Sequence, residues 1–112
     1  MTGNEFNNIV EKQQKKCTDI LCKKAEEYAT EDRLHNFKVA AALQGISTKQ
    51  ALAGMLAKHT VSIYDLCMSK ENASQDMWDE KITDHINYLL LLKAVVSEDI
   101  DEKKSYKEIL FG

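Results

Sequence analysis

Proline is absent from this 112-residue chain, and glycine occurs only at positions 3, 45, 54 and 112. That scarcity excludes collagen-like repeats, flexible linkers and the turn-rich β-sandwich, all of which use these two residues freely. Long apolar runs are missing as well. The longest, Tyr88 to Leu92, is far short of the ~20 residues that cross a bilayer. The opening MTGNEFNN lacks the basic-then-apolar order of a secretory leader, so a cytoplasmic protein with no membrane partner is expected. There is no basic excess: 15 Lys+Arg stand against 18 Asp+Glu, a formal charge of −3, and duplex nucleic acid is not an expected partner. The three cysteines, Cys17, Cys22 and Cys67, fit no zinc or CxxC spacing and cannot all pair. On a helix Cys17 and Cys22 stand about 140° apart, so all three read as small core-filling thiols in a reducing compartment.

What remains, 44% hydrophobic and 29% charged residues, describes one soluble domain with a modest core. The apolar period predicts four helices and an all-α, four-helix bundle-like domain over residues 1–97, followed by a charged tail over 98–112 with an apolar end. The first helix runs from Glu5 to about Ala29, with a stripe from Phe6, Ile9 and Val10 through Cys17, Ile20 and Leu21 to Ala25 and Tyr28. Its polar middle, EKQQKK, projects or meets a second subunit. Thr30 reads as the N-cap of the second helix, with Glu31 and Asp32 in the first turn. That helix turns Leu34, Phe37 and Ala41 inward and stops at Gly45. Ser47 to Gln50 is a capping box opening the third helix, which runs from about Thr48 to Ser69. The fourth runs from about Gln75 to Ser97 and is apolar nearly all round from Ile86, so burial on two sides and a homo-oligomer are expected.

Polar stripes interrupt these apolar faces. Glu80, Asp84 and Asn87 share one face of the fourth helix with Tyr88 beside them. Asp32 and Asn36 lie opposite Phe37, flanked by Arg33 and His35, and the third helix adds Lys58 and His59. Lys24, Glu27 and Tyr28 close the first helix. Two readings compete. In one the stripes are solvated faces and ion pairs, such as Lys58 with Glu80 or Arg33 with Asp84, and His59 and His85 are satisfied half-buried histidines. In the other, acids from several helices converge on Mg²⁺ or Mn²⁺, ions that favour carboxylate oxygens, and the cation holds a nucleotide phosphate.

Three blocks carry a resemblance: KAEEYATEDRLHNFKVAA, GMLAKHTVSIYDL and WDEKITDHINYLLLL, in that order over about residues 20 to 96. Together they resemble small phage and prophage helical proteins of unknown function, similar to the nucleotide-modification-associated domain. More distantly, DEKITDHINYLLLL is similar to the second metal motif of MazG-type all-α nucleotide pyrophosphohydrolases, whose acids hold Mg²⁺ and whose site hydrolyses nucleoside triphosphates to monophosphates. That family pairs its acids as ExxE and ExxD. Here the later pair, Glu80 and Asp84, is ExxxD, and the earlier one, Glu27 and Glu31, is ExxxE.

The expected metal set is Glu27, Asp32, Glu80 and Asp84; the expected nucleotide contacts are Lys24, Tyr28, Arg33, Asn36, Lys58, His59, Asn87 and Tyr88. An incomplete acid quartet places binding, or sequestration, of a nucleotide or nucleotide-derived signal ahead of Mg²⁺-dependent pyrophosphohydrolysis. If phage-encoded, the protein works in the host cell's cytoplasm. A non-catalytic interaction module, built on the first helix and the KEILFG end, is the third reading.

Overall fold

The computed structural model describes the backbone of residues 1–27 and 32–112 and the side chains of 1–23 and 32–112. Four α-helices follow in order: α1 (Gly3–Glu27), α2 (His35–Gln44), α3 (Thr48–Met68) and α4 (Gln75–Phe111). There is no strand among the described residues, and no helix there is long and apolar enough to cross a membrane.

Local chemistry sets each boundary. Helix α1 opens with a capping box: Glu5 N–H donates to Thr2 Oγ1 at 3.1 Å, and Thr2 N–H donates to Glu5 Oε2 at 3.0 Å. The expected Thr30 cap lies outside the described residues. Helix α2 begins later than Asp32, at His35, because the Asp32 carboxylate accepts the Leu34 N–H at 2.9 Å and closes a turn first. It ends where Gly45 takes φ 66°. The Gly45 and Ile46 amides there close on the carbonyls of Ala42 and Ala41 at 3.2 and 3.0 Å. A Cβ at Gly45 would meet no atom within 4 Å, so only the left-handed backbone resists substitution. Gly45→Ala is therefore expected to destabilise by about 1 kcal/mol, readable as a lowered urea midpoint. At α3, Ser47 and Gln50 form the expected reciprocal box, at 3.1 and 3.0 Å.

The fourth helix departs most from expectation. It continues past Ser97 to Phe111, because the segment 98–111 contains neither proline nor glycine. Ser97 does not cap; its hydroxyl donates to the Lys93 carbonyl within the helix at 2.8 Å.

Packing follows the apolar faces. Helix α3 lies along α4, α2 packs on α3, and α1 lies against α4. The core is small: Leu34, Leu52 and Val95, surrounded by Phe37, Met55, Tyr88, Leu91 and Leu92. Helix α4 is not buried on two sides within one chain, since Leu89 and Leu90 remain 49% and 46% exposed. The polar middle of α1 is largely exposed, yet two of its side chains fasten it to α4. Gln13 Nε2 donates to Thr83 Oγ1 at 2.7 Å, Lys16 pairs with Asp79 at 2.6 Å, and the two helices run antiparallel through these contacts. Of the cysteines, Cys17 is the core thiol; Cys22 and Cys67 are exposed, and all three are free.

Candidate functional site

Between the start of α2 and α4, with one residue each from α1 and α3, a cavity of about 230 Å³ opens. Its apolar wall comes from Leu21, Phe37, Met55 and Leu91, and its polar wall from Arg33, Asn36, Asp84, Asn87 and Tyr88. The polar wall reflects helical spacing. Asp84, Asn87, Tyr88 and Leu91 fall on one side of α4 because residues three and four apart share a face, and Asn36 and Phe37 follow Arg33 at the start of α2. One guanidinium, one carboxylate, two amides and a phenol thus meet across a partly apolar space.

Asn87 is the unusual member. It is 5% exposed, and among the described residues neither its Nδ2 nor its Oδ1 has a hydrogen-bond partner. A buried amide left in that state costs about 1–3 kcal/mol relative to a paired one, so its neighbour Thr83, buried but bonded to Gln13, makes the contrast plain. Behind the cavity, the His59 ring stacks on Tyr88 with centroids 4.4 Å apart and planes tilted by 31°. His85 shares a hydrogen bond with Thr60 at 3.1 Å. Both histidines are half-buried with a partner, as the sequence suggests.

The other expected site residues are dispersed. Lys58 is exposed and absent from the cavity wall; it stands about 100° round α3 from His59. Asp32 is exposed and pairs with Lys38 at 2.6 Å, while Lys38 also reaches Glu98 at 2.5 Å and so ties α2 to α4. Lys38 lowers the Asp32 carboxyl below its ordinary range, with the Leu34 amide adding to the effect. Lys16 does the same for Asp79, helped by Gln75. Both carboxylates have depressed folded-state values, so their contribution is present above the ordinary carboxylate range and fades as pH falls through the depressed values. Glu80 lines a different, shallow groove between α1 and α4, beside Lys16, Asp19 and Asp79. Lys58 and Glu80 form no ion pair among the described residues.

The metal set is therefore not assembled by the described side chains. Only Asp84 of its members lines the cavity, and no three His, Cys, Asp or Glu residues gather to hold an ion among the described residues. Lys24, Glu27 and Tyr28 lie outside the described side chains.

Sequence reasoning passes over the Lys38–Glu98 ion pair, as well as the Gln13–Thr83 bond. Nothing in period or spacing singles them out, since they link residues 60–70 positions apart. A second, larger groove of about 680 Å³ runs between α1 and α4, walled by Ile9, Val10, Ile86 and Leu90; it is apolar and holds none of the expected site residues. No protein-family model, curated protein or solved structure matches this chain, and the cavity's meaning rests on its own residues.

Proposed function

We propose that the protein binds a nucleotide or nucleotide-derived signal in the cavity and holds it without chemistry. The observation that supports this reading is the Asn87 amide in the cavity wall, whose Nδ2 and Oδ1 have no hydrogen-bond partner among the described residues; both atoms are closed to solvent, so a base edge meets them only as the wall opens to admit it. The edge of a nucleobase presents the complementary pair, the geometry by which Asn reads adenine. A ligand that completes both bonds recovers the desolvation cost already present in the fold. Asp84 on the same wall accepts from a ring N–H, an exocyclic amine or a ribose hydroxyl, and Arg33 adds the positive charge that a phosphate requires. Phe37, Met55 and Leu91 suit a flat ring. At about 230 Å³ the cavity is smaller than the roughly 300–1,000 Å³ of drug-sized sites, so the base is the enclosed part and the phosphates extend outward.

Hydrolysis through Mg²⁺ or Mn²⁺ requires at least one further acid beside Asp84. Asp32 is committed to Lys38 and Glu80 faces another groove, which leaves Glu27 as the remaining member of the expected set.

A thermal-shift panel of linear and cyclic nucleotides, each with EDTA, Mg²⁺ or Mn²⁺, tests the reading, with each hit recovered and chromatographed. The expected result is a metal-independent shift with intact ligand. Arg33→Gln should weaken that binding by at least roughly tenfold, about 1.4 kcal/mol. A shift that needs metal and returns monophosphate would replace binding by hydrolysis. No shift across the whole panel would sink both.

A further inference from the structure

Asp84 and Asn87 stand one turn apart on α4, and both line the cavity. No hydrogen bond or ion pair ties the half-buried Asp84 to another described residue, whereas Asp32 and Asp79 are each held by a lysine. Asn87 is likewise without a partner on either polar atom among the described residues. A carboxylate only accepts hydrogen bonds, while a primary amide both donates and accepts. The amide can turn over about its Cβ–Cγ bond, so its Oδ1 can stand next to Asp84. In that order, and once the wall opens to a ligand, this side of α4 offers acceptor, acceptor and donor in a row.

The common bases answer that row differently. Guanine's Watson–Crick edge carries the N2 amine, the N1–H and the O6 carbonyl in line: donor, donor, acceptor. Asp84 accepts from the N2 amine, Asn87 Oδ1 accepts from N1–H, and Asn87 Nδ2 donates to O6, so the whole row is satisfied at once. Adenine and cytosine each have one donor group, an exocyclic amine, and uracil has one, its N3–H. When that donor pairs with the amide, Asp84 is left to share it or to face a C–H or a carbonyl oxygen. A carboxylate covered in that way loses its hydration without a replacement bond. Sites built to hydrogen-bond a donor discriminate most strongly against the ligand that lacks it. We infer that the cavity selects guanine nucleotides, with Asp84 the specificity-determining residue through its bond to the exocyclic N2 amine. The inference rests on the nucleotide-binding reading and narrows it to one base.

Titration calorimetry on the full chain in EDTA tests this, with the 5′-monophosphates and 3′,5′-cyclic monophosphates of guanosine, inosine and adenosine as probes. Inosine keeps N1–H and O6 and lacks only the N2 amine, so it isolates the bond to Asp84. The guanosine form is expected to bind at least roughly tenfold more tightly than its inosine counterpart, the difference that one charge-assisted hydrogen bond makes. Asp84→Ala should bring that ratio close to one. Asp84→Asn, which keeps the shape and removes the charge, should reduce it as well. Nucleotide binding that ignores the N2 amine, or a ratio that survives in both Asp84 variants, would overturn the inference while leaving nucleotide binding in place. Silence from all six probes would overturn it too, and the broader thermal-shift panel then decides the nucleotide reading separately.

Discussion

Leu52→Ala is expected to lower the unfolding free energy by about 3–5 kcal/mol, seen as a large drop in urea midpoint with little change in slope. Leu52 is 0% exposed and sits between Leu34 and Val95, the three residues that make up the buried cluster. A larger protein distributes such a loss over many neighbours. Here the cavity left by the missing branch would adjoin half-buried side chains on one side only, and small domains have only about 5–15 kcal/mol to lose. Leu43, on the outer face of α2 at 83% exposure, is the matched control: its alanine variant should stay within about 0.5 kcal/mol of wild type. A Leu52→Ala protein as stable as the Leu43→Ala one would mean that the cluster is not the core.

Asn87→Leu is expected to act in the opposite direction. Leucine keeps the branching of asparagine at Cγ, its larger methyl groups can extend into the adjoining cavity, and it removes two buried polar atoms that have no partner among the described residues. Replacement should stabilise the ligand-free protein by about 1–3 kcal/mol, a rise in melting temperature of roughly 4–8 °C per kcal/mol. The same substitution should abolish the nucleotide-induced shift, since the donor–acceptor pair that reads the base is gone. Gain of stability together with loss of binding separates a retained binding group from a packing residue, for which both quantities would fall. A destabilised Asn87→Leu protein would show that the amide is satisfied in solution and would remove the main support for the cavity as a site.

Much of the fold is legible because its signals are local. The Ser47–Gln50 box and the left-handed Gly45 are fixed by residues within one turn of each other, and the inward faces of α2 and α3 follow from period alone. Helix α4 shows the limit. A change from apolar to charged composition after Val96 suggests an end, yet charge does not stop a helix; a breaker or a competing cap does, and Ser97 supplies neither. The site is legible to the same depth. Arg33, Asn36, Asp84, Asn87 and Tyr88 can be grouped as facing stripes on two helices, and these are the expected residues that share the cavity. Lys58 and Glu80 fall away for geometric reasons that spacing does not express. One is a quarter-turn off the face that packs, and the other lies about 6 Å along α4 from Asp84, level with α1 instead of α2.

The way α1 is fastened carries a consequence for how the molecule comes apart. The α2–α3–α4 contacts share the buried cluster, whereas α1 is held to α4 chiefly by Gln13 on Thr83, Lys16 on Asp79 and the single buried thiol of Cys17. Polar and exposed links of this kind are worth little singly and weaken with salt. They also join positions far apart in the chain, whose closure is slow to form. Helix α1 is thus expected to unfold at a lower free energy than the other three helices, and its release would remove from the cavity wall Leu21, the α1 residue that lines it among the described side chains.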